Sequence, residues 1–164
     1  MQIRHRDAAA DTDAATTAVA AFLRERSSLR VARLGALLHP LDHPALLAIG
    51  DDGGLAGVLT YVVDRLSCEV LTVHTASQWH GTGTALISAV ARHAAAAGCT
   101  RLWLVTTNDN VDALRFYQRR GFRLATLHPG AVDASRATLK PEIPLTGAYG
   151  IPLRDELVLI RSLA

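Results

Sequence analysis

The chain has 164 residues, of which 49% are hydrophobic, enough to bury the core of one domain. Its 17 basic and 15 acidic residues leave a net charge of +2, too little for a broad basic surface, so nucleic acid is not an expected partner. No apolar run approaches the ~20 residues that cross a bilayer, and Asp7, Asp11 and Asp13 interrupt any signal-type start. A soluble, cytoplasmic protein without a membrane partner is expected. Gln2 to Arg6 reads as a short edge strand. Asp11, Thr12 and Asp13 offer N-caps for a helix through Arg26, with Ala15, Val19, Phe22 and Arg26 on one face. Residues 29–38 suggest a second short helix, stopped by His39-Pro40-Leu41-Asp42-His43-Pro44. Those prolines, and the lack of a third spaced ligand, make His39, Asp42 and His43 a loop, and no metal is expected. Residues 45–50, 55–63 and 68–74 read as an antiparallel meander whose first turn is Asp51-Asp52-Gly53-Gly54. Cys68 and Cys99 form no disulfide framework; they read as small buried hydrophobes in a reducing compartment. A helix over 83–97 ends at Gly98, a buried-type strand follows at 102–106, and a helix over 111–120 is capped by Asn110 and closed by Gly121. Strands are expected at 122–127 and 157–161. Between them, 128–152 is punctuated by proline and glycine and is too long for an ordinary connection, which marks a functional loop.

Two segments carry chemistry. Gln78-Trp79-His80-Gly81-Thr82-Gly83 runs from a strand into a helix. Such a start offers backbone N–H groups without intrahelical partners and the positive end of the macrodipole, which suits a phosphate or pyrophosphate. Gly81 and Gly83 allow close backbone approach, and Thr82 and Thr84 add hydroxyl donors. The second segment runs from Asn110 to Phe122. Asn110, Ala113 and Tyr117 lie at i, i+3 and i+7, one helix face, placing an amide, a small gap and a phenol in line.

Together these residues resemble the GNAT N-acetyltransferase family. The family's pyrophosphate loop, Arg/Gln-x-x-Gly-x-Gly/Ala, is matched at 78–83, and its Asn-x-x-Ala-x-x-Phe/Leu-Tyr-x-x-x-Gly-Phe hallmark at Asn110, Ala113, Phe116, Tyr117, Gly121 and Phe122. The resemblance implies an α/β fold: one domain over 1–164, a central mixed sheet of about seven strands with helices on both faces, and an extended loop at 128–156. It implies that strands 70–74 and 102–106 splay apart around the pantetheine of acetyl-CoA. Backbone groups of Leu71, Thr72 and Val73 would pair with the pantetheine and the thioester carbonyl; Gln78, Trp79, His80, Gly81, Thr82, Gly83 and Thr84 would hold the pyrophosphate; Asn110, Ala113 and Tyr117 would line the cofactor.

By the same resemblance Tyr117 is the general acid for the leaving thiolate. For the base, strand alternation puts Glu69 on the same face as Leu71 and Val73, acting directly or through water. The base position of the histone-acetylating branch falls at Ser67, which cannot serve, and Asp64 is a poorer choice. Plain readings stay open: Asn110 as an N-cap, Tyr117 as a packed aromatic, Glu69 as a structural or solvated carboxylate. In the loop Arg136, Tyr149, Arg154 and Asp155 are candidate acceptor contacts, against the alternative that loop charges pair and hold the segment down. The expected activity is acetyl transfer to a primary amine of a small or amino-acid-like acceptor. The alternatives are another acyl-CoA donor, a protein N-terminus or lysine as acceptor, or a CoA-binding module without catalysis. Assembly as a homodimer is compatible with all of them.

Overall fold

The computed structural model describes residues 1–8, 13–78 and 80–163. The expected caps Asp11 and Thr12, and Trp79 of the glycine loop, lie outside the described residues. Two compact units divide the chain, residues 1–30 and 39–102 with Leu163 forming one, and residues 31–38 and 103–162 the other.

The first unit is built on β1 (Gln2–Arg6), α1 (Asp13–Arg24), β4 (Ala45–Ile49), β5 (Leu55–Asp64), β6 (Ser67–Thr75) and α2 (Thr82–Ala96). Its strands run in hydrogen-bonded order β1, β4, β5, β6, each pair antiparallel, with β1 at the edge as expected. The turn between β4 and β5 closes through Gly50 N–H to Gly54 O at 2.8 Å and Gly54 N–H to Asp52 Oδ1 at 3.0 Å, with Gly53 at φ 81°. Val19, Phe22 and Leu23 of α1, at i, i+3 and i+4, join Ala45, Leu47 and Val58 in a buried cluster. Each such side chain contributes roughly 1.5–3 kcal/mol of burial. Arg26 lies beyond the helix end, its guanidinium 3.6 Å from the Phe22 ring centroid and bonded to Phe22 O at 2.8 Å. Leu47 and Val58 are register partners, so they mark the α1 face of the sheet. Gly57 is on the opposite face, where α2 packs, and a Cβ there would meet Thr82 Cγ2 at 2.9 Å and Leu86 Cδ1 at 3.0 Å. Helices thus cover both faces of these four strands. Cys68 and Cys99 are buried free thiols. No helix among the described residues is long and apolar enough to cross a membrane.

The second unit holds β2 (Val31–Arg33), β3 (Ala36–Leu38), β7 (Arg101–Thr107, entering the unit at Trp103), α3 (Val111–Gln118), β8 (Arg123–His128), α4 (Ala131–Thr138) and β9 (Glu156–Ser162). Its larger strands are ordered β7, β9, β8, with β8 and β9 antiparallel, which brings the described main-sheet strands to seven as expected. Two expectations are corrected here. The helix expected over 29–38 is a β2–β3 hairpin, because Leu34 and Gly35 both adopt positive φ, 49° and 73°, the turn geometry that matches strand twist. The expected loop contains α4, a single-turn helix at Ala148–Gly150 and a bridge between Thr146 and Pro152. It is an ordered subassembly.

Candidate functional site

In the first unit β6 is irregular where the resemblance places the thioester. Thr72 pairs with Thr60 and Val70 with Tyr61, so Leu71 is a bulge without a partner residue on β5. An extra residue flips parity along the strand. Val73 and Val70 share the face of Leu59 and Tyr61, whereas Glu69, Thr72 and His74 share that of Val62, Thr60 and Val58. The expected alignment of Glu69 with Val73 is therefore corrected: uninterrupted alternation does not hold across the bulge. Glu69 is 5% exposed. Beside it in the face, Thr72 Oγ1 bonds Thr60 Oγ1 at 2.7 Å, and His74 Nε2 bonds Ser28 Oγ at 2.7 Å. Burial, with Arg26 adding repulsion, pulls the His74 imidazole down to about 4, so it is neutral at pH 7.

The glycine loop opens α2 as expected. Gly81 is the N-cap at φ 77°, a conformation that suits glycine, and the first helical bond runs from Ala85 N–H to Gly81 O at 2.9 Å. The N–H groups of Thr82, Gly83 and Thr84 thus precede the intrahelical ladder. His80 Nδ1 donates to Gln78 O at 2.7 Å, which shapes the exposed turn. Thr84 is exposed, but Thr82 is buried and its methyl faces Gly57, so packing against β5 engages this side chain.

In the second unit Asn110 caps α3, its Oδ1 accepting the Ala113 N–H at 3.2 Å, and Gly121 closes it at φ 85°. Tyr117 is half-buried between Phe116 and Phe122, with ring centroids 5.1 and 5.4 Å away in edge-on contacts. Burial holds its phenol well above the usual tyrosine range and the Arg120 charge opposes that, so the hydroxyl keeps its proton at neutral pH.

Of the four loop candidates, two are engaged within the loop. Arg136 donates to Ile143 O at 2.9 Å, Pro144 O at 2.8 Å, Leu153 O at 2.7 Å and Asp133 Oδ1 at 2.6 Å, a clasp and not an open cation. Asp155 Oδ1 accepts Gly130 N–H at 2.8 Å, securing the start of α4. Tyr149 is 71% exposed and donates to Asp112 Oδ2 at 2.5 Å. Arg154 is exposed, and its backbone N–H donates to Asn108 Oδ1 at 3.0 Å. Two organisers went unread in the sequence. Asn108 Oδ1 also takes Asp155 N–H at 3.0 Å while Nδ2 gives to Pro152 O at 2.8 Å. Asp109, 8% exposed, takes Thr107 Oγ1–H at 2.5 Å and Ala148 N–H at 2.9 Å. The signal was the run Asn108-Asp109-Asn110, three side chains of the kind that bind nearby backbone.

The comparisons bear on these two sets of residues. A family model described as Acetyltransferase (GNAT) family matches residues 13–122, which spans both the bulged strand and α3. The uncharacterized Bacillus subtilis protein YdhI is 42% identical over 111 residues, covering 68% of this chain and 69% of that protein. Streptothricin acetyltransferase of Streptomyces lavendulae is 34% identical over 111 residues, 63% of this chain and 59% of that protein. In fold, the chain resembles a Bacillus subtilis acetyltransferase crystallised with CoA, at a TM-score of 0.69 and 18% identity over 99% of both chains. The chain belongs to the GNAT acetyltransferase family and is an acetyl-CoA-dependent N-acetyltransferase.

Proposed function

We propose that the acceptor is a small molecule with a primary amine, acetylated by direct attack on the thioester. The observation that carries the cofactor half is the pairing of a bulged β6 at Leu71 with a left-handed Gly81 opening α2. The pyrophosphate rests on the N–H groups of Gly81 to Thr84, with Gln78 and His80 at its edge, and the pantetheine follows the backbone of Leu71, Thr72 and Val73. The bulge N–H of Leu71 donates to the thioester oxygen, and a donor aimed at a developing oxyanion contributes about 2.7–4 kcal/mol.

The amine must lose a proton before attack. An alkylammonium near pKa 10.4 is free base in about one part in a few thousand at pH 7, a cost of roughly 4–5 kcal/mol. Glu69 takes that proton through water, since its face differs from that of Val73. Tyr117 returns a proton to the leaving thiolate. Of the four loop candidates, Tyr149, whose hydroxyl rests on Asp112, and Arg154 are the exposed ones, and they meet the acceptor in this reading. The small-molecule reading is supported by the 34% identity to streptothricin acetyltransferase, and the two buried free thiols fit a reducing, cytoplasmic setting. Titration calorimetry with acetyl-CoA and desulfo-CoA tests the cofactor assignment on the intact chain. Both should bind, and Gly83→Glu should weaken both at least tenfold by setting a carboxylate against the phosphates. Unchanged affinity in Gly83→Glu would sink the cradle.

A further inference from the structure

Three ring side chains from separate elements of the first unit meet at one oxygen. Tyr61 of β5 is 1% exposed, and its hydroxyl lies 2.6 Å from His5 Nε2 on β1 and 2.9 Å from His93 Nε2 in the last turn of α2. The two imidazoles are exposed and stack on each other, with centroids 5.1 Å apart and planes at 25°. The Tyr61 ring stands edge-on to His93 at 5.3 Å. As the edge of the sheet, β1 has a strand ladder on one side only, to β4. The cluster ties it to α2 as well.

Proton counting limits what this cluster can hold. A phenol carries one hydrogen, so it gives to one imidazole and must take from the other. Burial pushes the Tyr61 phenol up to about 12, so it does not ionise to accept from both. Near neutral pH one ring therefore presents a bare Nε2 and the other an Nε2–H. A first added proton enters at Nδ1 of the ring that already donates, and both bonds survive. A second would set N–H groups on both sides of an un-ionised phenol. One bond is then lost, and two cations stack at 5.1 Å. The surrounding groups do little to relieve this. Leu46 of β4 and Val70 of β6, the register partners of His5 and Tyr61, are apolar. Cys68, on the same face of β6 as Val70, is a thiol that burial pushes up to about 12 and keeps neutral. Arg4 and Arg6 alternate with His5 onto the other face of β1, where Arg6 donates to the carbonyls of Leu41 and His43, and Glu69 also lies on that opposite sheet face. On α2 the charged neighbour of His93 is the exposed Arg92, itself positive. Negative charge reaches Tyr61 from the exposed Asp7, one carboxylate against two imidazolium rings.

We propose that His5, Tyr61 and His93 form a proton-limited latch, which holds β1 to α2 while it carries at most one extra proton and which a second proton opens, freeing the edge strand before the rest of the unit unfolds. Burial first, and the His5 charge second, hold the His93 imidazole below its ordinary 6.5, so His93 is the ring that the second proton enters. The latch is therefore fully closed above pH 6.5 and is lost as pH falls through the lower folded value. Nuclear magnetic resonance of the intact protein tests this, with imidazole signals and amide hydrogen exchange followed together on acidification. The two imidazoles should take up their protons in two steps at least about one pH unit apart, because each feels the other. Across the lower step the protection of β1 amides should fall about tenfold or more relative to those of β5 and β6, a comparison that removes any global acid loss. His93→Gln, at an exposed position, keeps an amide towards Tyr61 and does not titrate, so β1 protection relative to β5 and β6 should then hold steady over the same range. Tyr61→Phe removes the bridging oxygen, and β1 should already be poorly protected at neutral pH and respond no further to acid. If Tyr61→Phe does not fold, His93→Gln still decides. A single joint protonation step, equal losses of protection in β1 and β5, or an undiminished acid response in His93→Gln would each overturn the latch. These readouts use no acetyl-CoA, so their outcome is independent of the transfer mechanism proposed above.

Discussion

In the proposed mechanism Tyr117 is the general acid, and its role can be tested at a single atom. Its ring is held by Phe116 and Phe122, and burial raises its phenol, so the hydroxyl carries the proton that this role requires. Removing only the oxygen tests the role without disturbing the packing. Tyr117→Phe should lower kcat about a hundredfold or more, the usual size of a lost general acid, while the KM for acetyl-CoA stays within about twofold. A kcat that is unchanged from pH 6 to pH 9 would assign thiolate protonation to solvent. The helix that carries Tyr117 was legible because a helix keeps its period: Asn110 caps α3, and Asn110, Ala113 and Tyr117 fall in line whatever surrounds them. The same kind of reasoning failed for Glu69. Strand alternation gives the face of a side chain only while the ladder is regular, and the bulge at Leu71 leaves no mark in residue identity.

Among the elements, α2 depends on a glycine that it does not contain. Gly57 on β5 lies beneath the first turn of α2, with Thr82 Cγ2, His74 O and Leu86 Cδ1 within 3.0 Å of where a Cβ would sit. One methyl group there must push α2 away from the sheet, and with it the N–H groups that open the helix. Gly57→Ala should therefore cost about 1–3 kcal/mol of stability, as overpacking does, and weaken acetyl-CoA binding. Equal urea midpoints and equal affinities in the two proteins would show that the contact relaxes freely. The elements most legible in the sequence were those with strong ends or strong period, such as α2 with Gly98 behind it and the meander with its Asp-Asp-Gly-Gly turn. The segment 29–38 misled because its leucines recur at helical spacing while Leu34-Gly35 forms the turn that decides the structure. Helix α4 was missed for a different reason. It buries only Val132 and Ser135, so its apolar stripe is too thin to stand out from a proline-flanked stretch.

At the scale of the whole molecule, His74 couples stability to pH. It lies on β6 in the face turned towards α1, bonded to Ser28 and neutral because burial and Arg26 both resist its proton. In the unfolded chain the same imidazole titrates near 6.5, while in the folded one it titrates at about 4. Below pH 6.5 the unfolded state therefore binds the extra proton first, and stability falls with pH through the window from 6.5 to 4, then levels off for this group. Between pH 7.5 and pH 5 the loss from His74 comes to about 2 kcal/mol by linkage. His74→Asn keeps a hydrogen-bonding side chain towards Ser28 and does not titrate. Urea unfolding of both proteins at the two pH values isolates the contribution, because His93, whose pKa burial also lowers, is common to both. Wild type should lose about 2 kcal/mol more than His74→Asn on acidification. Parallel losses in the two proteins would mean that the folded imidazole is hydrated and titrates near its ordinary value, and the acid sensitivity of the fold would then have to come from elsewhere.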